Sequence, residues 1–255
     1  MSEPDNWDTH WDRYAAAASQ NPAQQMRHGI IARLLRRNPD ERTVRVLDIG
    51  SGQGDLLVKL RTQLKDAELL GFELSASGVE ISRRKVPDAK FLVADLFQPP
   101  ASASAYAGWA TDAVCSEVLE HVDSPADFLR ATRPYLADRA RLIVTVPGGP
   151  MSAFDRHIGH RRHFTRESIS EVLQAAGFAV ERVDLSGFPF FNLYRGIVIA
   201  RGEMLATDIE TGQSGLSARL AGTMMGVFRG LFRFNLWNSP FGWQVVAVAR
   251  KTALG

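Results

Sequence analysis

A chain of 255 residues with 45% apolar and 23% charged side chains has the make-up of a folded globular protein, and its length suits one large α/β unit better than two domains. Thirty basic against 28 acidic residues leave a net charge of only +2, which argues against nucleic acid as the main partner. A single cysteine, Cys115, excludes a disulfide framework and a cysteine zinc site, and is in keeping with a reducing compartment.

The first stretch, Met1 to Arg13, is polar and acidic and lacks the apolar core of a signal peptide. Gln24 to Arg37 reads as an amphipathic helix with Met26, Ile30, Ile31, Leu34 and Leu35 on one side, so residues 1–40 are expected to form an N-terminal helical cap. Val44 to Ile49 is dense in Val, Leu and Ile, as a strand buried on both faces should be. After a glycine-rich turn come a helix (Leu56 to Leu64), a strand (Glu68 to Leu74), a helix capped by Ser75 or Ser77 (Gly78 to Lys85) and a strand (Lys90 to Ala94). Gln98 to Gly108, rich in Pro, Ala and Ser, reads as a loop. A strand (Thr111 to Glu117), a helix behind Ser124 (Pro125 to Leu136) and a strand (Arg141 to Val146) follow. Thr165 opens a helix that Gly177 ends, and the strands Phe178 to Asp184 and Trp243 to Arg250 complete the pattern.

Strands alternating with helices predict a doubly wound, mostly parallel α/β sheet, a Rossmann-like fold in a single domain over residues 1–255. Residues 188–242 break the rhythm as an aromatic insertion before the last strand. A connection of that length is functional or has structure of its own. Within it Leu216, Leu220, Met224, Val227 and Leu231 recur at helical spacing, widened by Phe228 and Phe232. This face reads either as a helix packed on the core or as a substrate lid or membrane-contacting segment. No apolar run reaches the roughly 18 residues of a spanning helix. Phe188 to Ala200 comes nearest, and Arg195 interrupts it. The expected location is the cytoplasm, with peripheral membrane contact left open.

The clearest motif is Asp48-Ile49-Gly50-Ser51-Gly52-Gln53-Gly54-Asp55, at the turn from the first strand to the first helix. Ligands of open α/β sheets sit beyond the carboxyl ends of the strands, and glycines let a ligand approach the backbone. A dinucleotide fingerprint requires a small residue where Asp55 stands, and no Gly-Lys-Ser/Thr of a phosphate loop follows. Acids then recur at the strand ends: Glu73, Asp95, and Glu117 in Glu117-Val118-Leu119-Glu120-His121. Singly, each has a bland explanation as a turn former or a helix-start acid.

Together these motifs resemble the class I S-adenosylmethionine-dependent methyltransferases, over roughly Val44 to Asp184 plus the last strand. The resemblance implies that S-adenosyl-L-methionine is the cofactor. It would be held by Asp48, Gly50, Ser51, Gly52 and Gly54 of motif I, by Glu73 on the ribose hydroxyls with Leu74 beside it, by Asp95 on the adenine amino group with Leu96 near the ring, and by Glu117 below the methionine moiety. Carboxylate oxygens suit hydroxyl donors because they only accept. Trp7, Trp11 and Tyr14 cluster near the N-terminus, and similar enzymes close such a segment over the cofactor. Aromatic faces attract cations, which favours Tyr14 as a contact to the sulfonium; plain packing explains the cluster equally well.

Methyl transfer requires alignment of a nucleophile, and a neutral hydroxyl must also lose a proton, for which histidine is suited. Three of the six histidines lie in Asp155-Arg156-His157-Ile158-Gly159-His160-Arg161-Arg162-His163-Phe164-Thr165. The stretch Gly159 to Thr165 resembles a Gly-His-x-Arg-x-Phe/Tyr-Thr element of small-molecule methyltransferases. The catalytic candidates are His160, then His157, then His121; a structural connector with His160 bonded to backbone is the competing reading. No metal is expected, because on a helix His163 would leave the face of His157 and His160. Neither the Asn/Asp-Pro-Pro-Tyr/Phe of base-methylating enzymes nor a cysteine nucleophile motif is present, so the expected acceptor is a small-molecule hydroxyl; the insertion, where read as a lid, implies a hydrophobic or lipid-linked one. An NAD-dependent oxidoreductase and a non-catalytic cofactor-binding module are the alternatives.

Overall fold

The computed structural model describes residues 21–36, 44–210 and 216–253. Seven strands form one sheet: β1 (Arg45–Ile49), β2 (Glu68–Glu73), β3 (Lys90–Val93), β4 (Ala110–Ser116), β5 (Leu136–Pro147), β6 (Phe178–Ser186) and β7 (Gln244–Lys251). Their order is β3-β2-β1-β4-β5-β7-β6. The pairs among β1 to β5 are parallel, and β7 runs antiparallel to both β5 and β6. The helices are α1 (Pro22–Leu35), α2 (Asp55–Gln63), α3 (Ala76–Lys85), α4 (Pro125–Thr132), α5 (Ala153–His157), α6 (Arg166–Ala175), α7 (Phe190–Glu210) and α8 (Leu216–Leu231).

The strands are buried on both faces, as their continuous apolar runs require. Leu47, Ile49, Phe72, Cys115 and Val144 face a core completed by Leu129 of α4 and by Ile169 and Leu173 of α6. Val46, Leu69, Val114 and Ile143 point the other way, onto Ile31 and Leu35 of α1, Leu57 and Leu60 of α2 and Val79 of α3. The period of two along each strand therefore puts Asp48 on the α2–α3 side with Val46. Several helix starts follow from their caps. Ser75 accepts from the Gly78 amide at 2.9 Å, and Thr165 and Ser168 form a reciprocal capping box. Ser124 holds the position before α4 but makes no side-chain cap bond.

One expectation changes, and one of two open readings gains support. The segment read as a loop contains a 3-10 turn, Ala101–Tyr106. The insertion consists largely of α7 and α8, and its aromatic face points inward. Phe228 and Phe232 are buried with Phe191 and Ala23, packed by Tyr194, Met26 and Trp243, so they form a third small core. Asn235 closes the start of α7 by accepting from the amides of Phe190 (2.9 Å) and Phe191 (3.2 Å). Leu193, Val227, Phe234, Leu236 and Phe241 remain exposed on the insertion. Among the described residues no helix is long and apolar enough to cross a membrane.

Candidate active site

The carboxyl end of β1 turns sharply into α2. Gly50 and Ser51 both donate to the Phe72 carbonyl, at 2.8 and 3.0 Å, so the loop crosses over the end of β2. Gly50 has φ +71°, and a Cβ there would meet Val118 at 2.6 Å. Only glycine meets both conditions cheaply. Beneath the loop, Gly71 pairs in register with Asp48, and a Cβ on it would lie 2.6 Å from Ser51 Oγ and 2.7 Å from Phe91.

Glu73 ends β2 and braces the loop from the side. Its Oε2 accepts from the Gly52 amide at 2.8 Å and its Oε1 from the Ser75 amide at 2.9 Å. Asp48 is buried, and burial, then the charge of Glu73, pushes its pKa up to about 7. Asp95 follows β3, where its Oδ1 accepts from the Phe97 amide at 2.9 Å. Asp55 pairs with Lys85 Nζ at 2.6 Å, so an ion pair occupies the place where a dinucleotide loop packs a small residue.

These residues fit a nucleoside cofactor. The Ser51 hydroxyl is buried and unbonded beside a glycine cradle. Next to the acids, Leu74 and Phe97 are 53% and 56% exposed, large apolar side chains offered at the strand ends. Leu96 is buried in the sheet core, so Phe97 is the apolar side chain presented beside Asp95.

Past β4 the backbone is strained: Glu117 has φ +55°, a region a non-glycine residue enters at a cost. Its carboxylate is gripped from three elements. Thr145 Oγ1 of β5 donates to Oε1 at 3.3 Å, Gln244 Nε2 of β7 at 3.1 Å, and Arg27 of α1 lies 3.5 Å from Oε2. Glu120, three residues on, is fully buried, and neither of its carboxylate oxygens has a hydrogen-bond partner. Burial and the nearby Glu117 raise its pKa well above the usual carboxylate range.

The histidine segment returns to this point. Arg161 N–H donates to the Glu120 carbonyl at 2.8 Å, which fastens the loop after α5 to the turn after β4. His121 and His160 then meet edge to face, with ring centres 4.8 Å apart. His163 Nδ1 lies 3.1 Å from the Gly149 carbonyl, and His160 Nδ1 lies 3.3 Å from His163 Nε2. The tautomers follow. A carbonyl only accepts, so His163 Nδ1 carries the proton; its Nε2 accepts, so His160 Nδ1 also donates. His160 Nε2 is left with a lone pair. Burial, then His121, holds the His160 pKa down at about 3, and burial lowers that of His163, so both rings are neutral at pH 7.

Asp155 anchors the relay. It accepts from the Ser152 amide and hydroxyl, both at 2.8 Å, and from Arg195 Nη2 at 2.8 and 2.9 Å. Burial works to raise its pKa, but Arg195 and Ser152 outweigh it and hold the group below the usual range. His160 Nδ1 is 4.0 Å and His163 Nε2 3.8 Å from this carboxylate. Arg195 belongs to α7, so the insertion is tied to the histidine loop through this ion pair.

The structure thus gathers the glycine loop, Asp48, Glu73, Asp95 and Glu117 along the carboxyl edge of β1 to β4, and brings His121 beside His160. His157 stands apart, exposed at the end of α5. Helical geometry does not govern the histidines, because α5 ends at His157 and the chain from His160 to His163 is not helical. Tyr14, with Trp7 and Trp11, lies outside the described residues. Sequence reading missed Glu120 as a buried group, Asp155 with its partner Arg195, and Gln244 and Arg27 as partners of Glu117; of these only Glu120 carried a signal, its place beside His121. A cleft of about 550 Å³ adjoins the histidine segment at Gly149 and Phe164, is walled by Phe188, Asn192, Phe241 and Trp243 among others, and holds none of the strand-end acids.

The methyltransferase domain family matches this chain over residues 22–183. No curated protein matched it in a sequence search. Among solved structures, the [4+2]-cyclase SpnF superposes with a TM-score of 0.64 at 17% identity, covering 97% of this chain and 96% of its own. The geranyl diphosphate C-methyltransferase from Streptomyces coelicolor A3(2), solved with Mg2+, geranyl diphosphate and S-adenosyl-L-homocysteine, gives 0.54 at 14% identity, over 90% of this chain and 77% of its own. At such identities the likeness is one of fold, and a cyclase among the neighbours shows that the fold does not name the reaction.

Proposed function

The chain belongs to the S-adenosylmethionine-dependent methyltransferase family, and from that premise we propose that it methylates the hydroxyl oxygen of a hydrophobic small molecule. The observation that carries this reading is the relay from the Gly149 carbonyl through His163 to His160, which leaves an unprotonated Nε2 beside His121. A neutral imidazole nitrogen with a lone pair accepts the hydrogen bond of an acceptor hydroxyl and fixes its oxygen. S-adenosyl-L-methionine supplies a methyl group already activated by positive sulfur. The chain's task is to hold the cofactor with Asp48, Gly50, Ser51, Gly52, Gly54, Glu73, Leu74, Asp95 and Glu117, with Phe97 taking the place expected of the buried Leu96, and to align the acceptor.

An apolar acceptor is supported by the aromatic cleft beside the histidine segment, where Phe188, Phe241 and Trp243 offer walls for a tail. The exposed Leu193, Val227, Phe234, Leu236 and Phe241 support contact of the insertion with a membrane surface, from the cytoplasmic side. The geranyl diphosphate enzyme shows that the fold accommodates a prenyl substrate.

Calorimetric titration with S-adenosyl-L-homocysteine and with NAD tests the cofactor: the first should bind and the second should not. His160→Asn should lower turnover on hydroxylated apolar substrates by about 10²-fold or more, with homocysteine-form affinity unchanged. Wild-type turnover in that variant overturns the placement of His160. Phe234→Ser with Phe241→Ser should abolish flotation with anionic liposomes if the insertion meets a membrane; unaltered flotation, or none in the parent, removes that contact.

A further inference from the structure

Glu120 presents an unmet demand. Its side chain is fully buried, yet neither Oε atom has a donor. Protonation would not cure this, since a neutral carboxyl still needs an acceptor for its proton and a donor for its carbonyl. Two imidazoles stand beside it. One ligating atom each from Glu120, His121 and His160 lies within 4.8 Å of the others. Metal–nitrogen and metal–oxygen bonds of about 2.0–2.2 Å span ligand pairs up to roughly 4 Å apart, so small side-chain rotations close the set.

We propose that Glu120, His121 and His160 bind a divalent first-row transition cation such as zinc at the acceptor end of the site. The inference deepens the reading of His160 given above and rests on it: the lone pair of His160 Nε2 would bind the cation in place of the acceptor O–H, and the cation would then hold the acceptor oxygen. One carboxylate with two imidazoles suits zinc and its neighbours, whereas magnesium and calcium prefer oxygen donors alone. Three protein ligands also leave a position open, as a site that takes a substrate requires. The surroundings are built for ligation. A metal-bound histidine normally gives its other N–H to a fixed acceptor, and His160 gives Nδ1–H to His163, which is itself set by the Gly149 carbonyl. Arg161 N–H on the Glu120 carbonyl holds the two ligand-bearing segments together.

The test uses the full chain, stripped with a chelator, dialysed and titrated with Co2+, whose visible absorption reports nitrogen ligation; Zn2+ is then added as competitor. The wild type should take up one equivalent of Co2+ and release it to Zn2+. Glu120→Gln and His160→Asn should each weaken uptake at least tenfold. His163→Phe, which removes the partner of His160 and no ligand, should weaken it by about 10–100-fold. His160 lies on a loop, so its variant remains informative if Glu120→Gln does not fold. Binding of S-adenosyl-L-homocysteine is measured on every sample. If the wild type binds it but takes up no Co2+, the cation site is overturned and methyl transfer stands. If the wild type does not bind it, the methyltransferase reading fails whatever the cobalt does. Co2+ retained by the Glu120→Gln/His160→Asn double variant belongs to other histidines and overturns the site.

Discussion

The proposed cofactor end and the proposed acceptor end of this molecule meet their polar demands in different ways. At the proposed cofactor end the partners come from neighbouring strand ends: Glu73 bonds Ser75 and, 21 residues back, Gly52, and Asp95 bonds Phe97. At the proposed acceptor end they come from further along the chain: Arg195 of α7 reaches Asp155, and the Glu120 turn is held by Arg161; Glu117, between the two ends, is reached by Gln244 of β7. The first end is assembled from β1 to β3 and the turns that follow them. The second exists only after β4, β5, β7 and the insertion have come together, so the acceptor end should be the more fragile to distant substitutions.

The largest effect should come from Arg195→Leu. It strips the guanidinium from a fully buried Asp155 and should cost about 3–5 kcal/mol in denaturant unfolding, with the histidine relay loosened as well. A cost under 1 kcal/mol would show that the acceptor end does not depend on the insertion. Next is Gly71→Ala at the cofactor end. Its methyl would press on Ser51 Oγ and the Phe91 ring, for about 1–3 kcal/mol and a weaker grip on S-adenosyl-L-homocysteine. Unaltered stability and affinity would mean that the loop is softer than its bonds imply.

Asp48 gives a pH test. Its folded pKa of about 7 lies above the unfolded value of 3.8. Below the unfolded value both states are protonated and nothing is lost. As pH rises toward 7 the unfolded chain releases its proton and the folded chain keeps it, so stability should fall by up to about 1.4 kcal/mol per pH unit, levelling above 7. Unfolding curves at pH 5 and pH 7 for the parent and Asp48→Asn isolate this contribution by their difference, since Glu120 and the other shifted groups titrate in both; equal slopes in the two proteins would remove it. The smallest effect on stability, within about 0.5 kcal/mol, is expected for Phe97→Ser, since the ring is largely exposed. That change should nonetheless weaken S-adenosyl-L-homocysteine binding severalfold, and equal affinity would remove Phe97 from the cofactor's surroundings.

The same contrast explains what the sequence revealed. Asp48, Glu73, Asp95 and Glu117 could be located because each stands where an apolar run stops, and the ends of parallel strands share one edge. The insertion could be bounded for a similar reason, by the strands on either side. The direction of its aromatic face could not, because Phe228 and Phe232 are turned inward by Phe191 and Tyr194 from another helix. The histidines show the limit most plainly. Their spacing invites a helical test, yet a loop makes His160 and His163 neighbours, and backbone pairing with Glu120 adds His121. No periodicity encodes a contact between residues 121 and 160.

The pairing of β6 with β7 has a consequence for how such a protein can change. Ser186 and Gln244 lie opposite one another in register, so the chain leaves the sheet and returns to it at one doorstep. Everything between them is a handle with both ends bolted to adjacent strands. Lengthening a connection with fixed ends is cheap, about 0.6 kcal/mol for each doubling of a flexible one. Evolution, or an engineer, can therefore exchange the handle as a cassette while the glycine loop and the strand-end acids stay untouched, provided the new piece still offers a cation to Asp155.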